Sequence, residues 1–339
     1  MLRKTDLKQT EQMRMKTLLH KYENLFSVNE DDIGLFQSQN GGPSKVNFEV
    51  IDPTKVVYSI PRRLPYAQRP WLQAKLDEWC KSGIIEEVTS ENTGKIIHTS
   101  PIIIVPKKNG RYRMAVDYRQ LNKNLKVTTF PLPNVKDCIE RLGSKKFFSS
   151  LDITSAFNQL ELNDDTKRLC GFVTLGKRYL TNRMPFGAHP CPSIFQQFIM
   201  RALKNIDEDN CIVYMDDILI ASENFDSHLK DLEQVFYELH RHGFKLSPKK
   251  CEFCLQTVEY LGFQVGKIGN RYGYAPLESK LTPIRELPTP KTAKEVRSFC
   301  GALQYYNTMI PGLNMKLAPL HKGAAAKDFI MTPEMIRPF

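Results

Sequence analysis

The sequence predicts an α+β protein. Two observations carry this: short apolar runs joined by hairpin turns, and amphipathic helical stripes that alternate with them irregularly. A doubly wound sheet would alternate strand and helix regularly. At 339 residues the chain is too long for one small core, so two or three lobes are expected.

The elements follow in order. Residues 1–45 open with a polar, helical stretch and end in Gln37-Ser38-Gln39-Asn40, which has no clear period, before the break at Asn40-Gly41-Gly42-Pro43. Lys45 to Ile60 is rich in β-branched residues and partly alternating, which predicts strand. A helix opens between Pro65 and Pro70, with Leu72, Leu76 and Trp79 on one face, and Gly83 stops it. Strands at Ile96–Val105 and Tyr112–Tyr118 flank Lys107-Lys108-Asn109-Gly110, whose Asn-Gly step signals a hairpin. A short helix is expected over Asn134–Leu142, then a buried strand over Phe147–Ile153 and a helix over Ser193–Ile206. Cys211–Tyr214 and Ile218–Ala221 flank Asp216-Asp217 as a second hairpin. Leu229, Leu232, Phe236 and Leu239 form a helical stripe ended by Gly243. Thr292-Ala293-Lys294-Glu295 is a capping box, starting a helix with Val296, Phe299, Cys300 and Leu303 inward.

Bulk composition narrows the function class. Net charge is +11 and the pI about 9.1, which suits a polyanionic partner because Lys and Arg displace phosphate counterions. No stretch approaches the ~18–20 apolar residues of a spanning helix, so nucleic acid is expected before a membrane. Eight scattered Cys, mostly in apolar patterns, read as free thiols of a reducing compartment. Cys251 and Cys254, with His240 and His242 upstream, have zinc-like spacing, but two Cys at a core edge is the favoured reading.

The chemistry centres on carboxylates. Asp216-Asp217 sits between apolar runs, where adjacent like charges are costly unless cations neutralise them. Taken alone, the pair reads equally well as an exposed turn. Asp152 lies near the end of another apolar strand, in Ser149-Ser150-Leu151-Asp152-Ile153. If the two strand ends are neighbours, three hard oxygen ligands converge in a two-metal constellation for in-line phosphoryl transfer.

At these residues the sequence resembles a known family. Tyr214-Met215-Asp216-Asp217 resembles the Tyr-x-Asp-Asp box of reverse transcriptases, and Leu151-Asp152-Ile153-Thr154-Ser155-Ala156-Phe157 their first catalytic box. Arg183-Met184-Pro185-Phe186-Gly187, followed by Ser193-Ile194-Phe195-Gln196, is similar to the Met-Pro-Phe-Gly box of gypsy-type LTR retrotransposons. The stretch from Tyr112 through Arg113 to Asn122 resembles the fingers motif. Gly243 to Cys251, Tyr260-Leu261-Gly262-Phe263 and Val296 to Gly301 also fit. These boxes stand in family order, and the resemblance runs from about Leu18 to the C-terminus. There are departures: Ala188-His189-Pro190-Cys191 replaces the usual Leu-x-Asn-Ala, Ala156-Phe157 replaces Gly-Tyr, and Asn158 stands where a bulky ring is common. None removes a metal ligand.

The resemblance implies a right-hand polymerase fold of fingers, palm and thumb with an antiparallel palm sheet. By this likeness 1–45 is an N-terminal extension, 46–126 and 160–190 are fingers, 127–159 and 191–268 palm, and 269–339 thumb and the start of the connection. The implied activity is RNA-directed DNA polymerisation on RNA or DNA template, with two Mg2+ (Mn2+ as alternative) on Asp152, Asp216 and Asp217. Lys250 is the implied general acid, with Lys249 adjacent, although a lysine pair after Pro248 also reads as a surface turn. Lys107 or Lys108, Arg113, Ser155, Ala156, Phe157, Phe186, Gly187 and Met215 would contact the nucleotide. The two lysines, read unaided, are a solvated turn. Phe157 takes the aromatic steric-gate position, which is compatible with a core role. Tyr260, Leu261 and Gly262 would position the primer end. Implied partners are a primed RNA or DNA template and deoxynucleoside triphosphates, with a homodimer or association with other polyprotein products open and no membrane. The implied location is cytoplasmic, in a virus-like particle if element-encoded, with the nucleus open. No second acidic cluster for ribonuclease H is expected. A non-catalytic, domesticated or partner subunit that binds nucleic acid or protein is the alternative.

Overall fold

The computed structural model describes residues 7–29, 31–39, 41–89, 98–106, 110, 112–127, 130–131, 133–142, 144–325 and 332–336. The chain divides into two compact units, Met1–Cys138 with Phe147–Gln256, and Ile139–Lys146 with Thr257–Phe339.

The first unit begins with α1 (Gln9–Lys21) and β1 (Lys45–Val46), then α2 (Arg69–Lys81), β2 (Ile85–Glu87), β3 (Ser100–Pro106), β4 (Tyr112–Val116) and α3 (Arg119–Asn122). The helix α4 (Val135–Arg141), whose last turn from Ile139 belongs to the second unit, leads to β5 (Phe147–Asp152), β6 (Glu161–Leu162), α5 (Asp164–Leu169), β7 (Phe172–Thr174) and β8 (Lys177–Thr181). It ends with α6 (Cys191–Ala202), β9 (Cys211–Tyr214), β10 (Asp217–Ser222), α7 (Phe225–Arg241) and β11 (Glu252–Leu255). A four-stranded sheet in the order β11-β5-β10-β9 is antiparallel throughout. A second sheet, β2-β8-β7-β3-β4, is mixed, because β3 and β7 run parallel while the other pairs are antiparallel.

Two helix features explain how the four-stranded sheet is covered. Asn224 caps α7 by accepting from the Ser227 N–H at 2.9 Å. Leu232, Val235, Phe236 and Leu239 then form a buried stripe in the main core, with the expected Leu229 at its edge. The α6 helix starts two residues before the expected Ser193 and ends at Ala202, short of Ile206. Pro192 at the first turn favours the earlier start.

One expectation fails. Lys45 to Ile60 is not a continuous strand: only Lys45–Val46 pairs, parallel to β6, and Val50 makes an isolated bridge to Leu125. Side chains satisfy much of its backbone instead. The N–H groups of Phe48, Asp52, Val57 and Ser59 donate to Thr166 Oγ1, Asn124 Oδ1, His98 Nδ1 and Thr99 Oγ1 at 2.9–3.1 Å. The β-branched composition was a local signal, and local propensity yields to such tertiary partners.

Beneath the antiparallel sheet lies a buried polar chain. Ser222 Oγ donates to Asp231 Oδ2 at 2.6 Å, so it accepts from His228 Nδ1–H at 3.0 Å. His228 Nε2 then accepts from Ser149 Oγ at 2.7 Å, and Ser149 Oγ accepts the Cys254 N–H at 2.9 Å. This order requires a neutral imidazole, and burial pushes its pKa down to about 3. A folded pKa below the unfolded value of ~6.5 means stability is fully present above pH ~6.5 and is lost as pH falls. His228→Gln keeps polar contacts but does not titrate. Wild type should therefore lose on the order of 4 kcal/mol more than His228→Gln as pH falls from 6.5 to about 3. Urea unfolding at stepped pH measures the difference, and parallel curves would refute it. His98, whose pKa burial also lowers, titrates in both proteins and cancels.

The second unit opens with β12 (Thr257–Tyr260), β13 (Phe263–Ile268) and β14 (Arg271–Pro276), an antiparallel meander. Then come α8 (Glu278–Arg285), α9 (Ala293–Gln304), α10 (Leu313–Ala324) and α11 (Pro333–Ile336). The Thr292 cap is present: Thr292 Oγ1 accepts from Glu295 N–H at 3.2 Å, while Glu295 reaches the Lys291 N–H. Val296, Phe299 and Cys300 pack with Leu313, Leu317 and Leu320, with Leu303 at the margin.

Candidate active site

Three carboxylates meet at one end of the four-stranded sheet. In the antiparallel register of β5 and β10, Asp217 lies opposite Asp152. In β9 and β10, Asp217 lies opposite Tyr214, so Met215 and Asp216 form a two-residue turn. Met215 has φ +55°, a left-handed conformation that costs a side-chain-bearing residue roughly 1–2 kcal/mol. Behind the acids the strands are apolar and buried, with Leu151, Ile218 and Leu219 at 0% exposure.

That environment raises two acid pKa values. For Asp152, burial dominates, opposed by the Lys250 ion pair, with Asp216 adding repulsion. For Asp217, burial leads, followed by repulsion from Asp216 and Asp152, with Lys250 opposing. Asp152 Oδ1 and Oδ2 accept from Lys250 Nζ at 3.1 and 3.0 Å. The lysine thus supplies positive charge to the cluster. Among the described residues no three His, Cys, Asp or Glu side chains are already drawn together as a closed metal site. The donor set nevertheless suits hard cations: carboxylate oxygens only, at a sheet end where the bare charges of Asp152 and Asp217 are disfavoured.

A few residues beyond Asp152 in the chain, Phe157 enters an aromatic cluster. The Phe157 ring lies 5.6 Å from Phe186 and 5.5 Å from Phe195, the second contact edge-to-face. The Arg113 guanidinium sits 4.4 Å from the centre of Phe186, a cation–π contact. Phe186 is 57% exposed, unusual for a ring this well placed. Its turn is braced from α3: Asn122 Nδ2 donates to Gly187 O at 3.0 Å and Asn122 Oδ1 accepts from His189 N–H at 2.9 Å. Gly187 has φ +100°, which only glycine adopts without strain. Ser155 is exposed and left-handed at φ +45°, and Ala156 is buried in the core.

The remaining expected residues are placed as follows. Lys107 and Lys108 lie outside the described residues. Tyr260 is buried in the second unit, and Leu261 and Gly262 form a turn with φ +48° and +88°. Tyr305 Oη donates to Leu261 O at 3.3 Å. Cys251 and Cys254 are buried free thiols, His240 is exposed, and the His242 ring stacks on Phe36 at 5.7 Å; among the described residues these four are not gathered as one ligand group.

Sequence reasoning passed over Gln196 and Asn122 as individual site residues, although both fall in quoted motifs. A signal for Gln196 was present. It is a lone amide on the apolar face formed by Ile194, Phe195, Phe198 and Ile199.

Comparisons with known proteins place the chain among relatives. The family model for reverse transcriptase (RNA-dependent DNA polymerase) matches residues 105–265. The chain is 32% identical over 260 residues to the retrovirus-related Pol polyprotein from transposon 412 of Drosophila melanogaster, covering 75% of this chain and 20% of that protein. It is 30% identical over 311 residues to the corresponding polyprotein from transposon opus of the same organism, covering 90% and 29%. The transposon Tf2-3 polyprotein of Schizosaccharomyces pombe is 30% identical over 279 residues, covering 81% and 20%. The chain thus spans less than a third of these relatives. Among solved structures, the foamy viral protease-reverse transcriptase in complex with dsDNA superposes with a TM-score of 0.81 at 25% identity, covering 98% of this chain and 67% of that one. The same protein in complex with RNA/DNA hybrid gives 0.76, covering 99% and 43%. The α+β right-hand polymerase fold class read from the sequence is therefore the one this chain has. With its ordered motifs, matching domain and transposon homologues, the chain belongs to the reverse transcriptase family and is related to retrotransposon Pol polyproteins.

Proposed function

We propose that this chain is a polymerase core that extends a primer on an RNA or DNA template from deoxynucleoside triphosphates. The observation that carries the proposal is the strand register that sets Asp217 opposite Asp152 with Asp216 in the adjoining turn. The family generally uses divalent metal ions, and here Asp152, Asp216 and Asp217 would hold two, Mg2+ with Mn2+ as alternative. When bound, such ions supply Lewis acidity that eases deprotonation of the primer 3′-hydroxyl and offsets charge on the leaving pyrophosphate.

The protein's own residues do the rest. Arg113 leaves its resting place over Phe186 to pair with triphosphate oxygens, a charge-assisted contact stronger than the cation–π it replaces. Lys107 or Lys108 joins it. Phe157, braced by Phe195, crowds a ribose 2′-hydroxyl, while Phe186, Gly187, Ser155, Ala156 and Met215 shape the pocket. Lys250, which pairs with Asp152, is the proton donor to the leaving pyrophosphate in this reading. Tyr260, Leu261 and Gly262 position the primer end.

The proposed lobes are fingers at 46–126 and 160–190, palm at 127–159 and 191–268, and thumb from 269, with 1–45 as an extension. The primer–template is gripped mainly through its phosphates, consistent with a net charge of +11. The foamy viral structures hold dsDNA and RNA/DNA hybrid, which supports duplexes of both kinds as partners here. A homodimer or association with other polyprotein products is compatible, as is residence in a cytoplasmic particle or the nucleus. No described helix is long and apolar enough to cross a membrane. Primer extension with Mg2+ on RNA and on DNA templates is the test. Absence of product on both would favour a subunit that binds without polymerising.

A further inference from the structure

Gln196 is the one polar side chain on the buried face of α6, and it is 0% exposed. Both ends of its amide point at one feature. Its Oε1 accepts from the Met215 N–H at 2.7 Å, and its Nε2 donates to Val213 O at 3.0 Å. Val213 and Met215 lie on either side of Tyr214, at the exit of β9 into the Met215–Asp216 turn. The amide therefore clasps the backbone just where it goes left-handed at Met215.

The chemistry explains why an amide stands there. One donor and one acceptor are needed at the end of a flexible arm whose amide is itself buried. An apolar replacement leaves a buried N–H and C=O unpaired, each of which is costly. Ile194, Phe195, Phe198 and Ile199, buried with it on α6, belong to the main core. Phe195, its neighbour on α6, also braces Phe157. A single helix thus supports both the acidic turn and the aromatic wall.

We propose that Gln196 is a positioning residue, which sets the left-handed Met215 turn so that Asp216 and Asp217 are presented together with Asp152. This rests on the polymerase reading. Gln196 touches no reacting atom. It acts by holding the turn in a conformation that the Met215 side chain itself disfavours. Carboxylates misplaced by a fraction of an ångström would keep the fold and lose rate.

The experiment combines two variants with a measurement on the unaltered protein. Gln196→Leu should lower kcat about 10²-fold with little change in KM for primer–template. Gln196→Glu can accept and donate only when its carboxyl is protonated. Its activity relative to wild type at each pH should rise at least about tenfold between pH 8.5 and 6. In wild type, the Met215 amide should exchange with solvent at least about 10²-fold more slowly than a free turn amide. A purely structural role would not give the Gln196→Glu variant a pH profile of its own. If wild type fails to extend primers, the polymerase reading falls, and amide exchange alone still judges the clasp. If wild type extends and folded Gln196→Leu keeps kcat within about threefold, the inference is overturned. Parallel pH profiles for wild type and Gln196→Glu, or an unprotected Met215 amide, overturn it as well.

Discussion

Asp216→Asn should abolish primer extension, lowering kcat by at least about 10³-fold, while the protein remains folded. The change removes one of three carboxylates from the strand end without altering side-chain size. Its effect on the metal-free fold has the opposite sign. Asp216 raises the pKa values of Asp152 and Asp217 by repulsion. Acids whose folded pKa lies above the unfolded value destabilise the fold increasingly as pH rises through that window. Neutralising Asp216 relieves part of that penalty, so at pH 7 without divalent ions Asp216→Asn should melt no lower than wild type. A lower melting temperature would mean that the lost activity reflects a damaged fold. Normal extension by the folded variant would remove Asp216 from the metal set.

The second large effect is on sugar selection. Phe157→Val should raise incorporation of ribonucleotides relative to deoxynucleotides on the order of 10²-fold. The ring is held between Phe186 and Phe195, so it cannot swing aside without breaking two aromatic contacts. Overpacking against such a wall costs a few kcal/mol, which the smaller side chain relieves. The same change opens space beside a half-buried ring and should cost roughly 2 kcal/mol of stability. Paired kcat/KM values for a ribo- and a deoxynucleoside triphosphate measure the selectivity. An unchanged ratio with lowered stability would leave Phe157 as a core ring only.

Much of the local structure was legible because its causes are local. Thr292 and Glu295 mark the start of α9 through their own hydrogen bonds. The apolar runs around Asp216-Asp217 end at a turn, as β9 and β10 do. The stretch from Lys45 to Ile60 misled because its backbone partners, Thr166, Asn124, His98 and Thr99, come from distant sequence.

By itself the sequence pointed to three acids and to the strands that carry them: Asp152 at the end of one apolar run, Asp216 and Asp217 at the turn of another. Only the tertiary structure decided that they meet. The register could not be read from pattern, because Ile218 to Ser222 are all buried and β5 shows no strict alternation. A strand apolar on both faces carries no period-two signal of which residue lies opposite which. Contacts from elsewhere fasten the sheet along its length. His228 joins Ser149 to Ser222 across β5 and β10, and Gln196 clasps the turn from α6. Both are polar side chains whose meaning appears only once their partners, far along the chain, are brought to them.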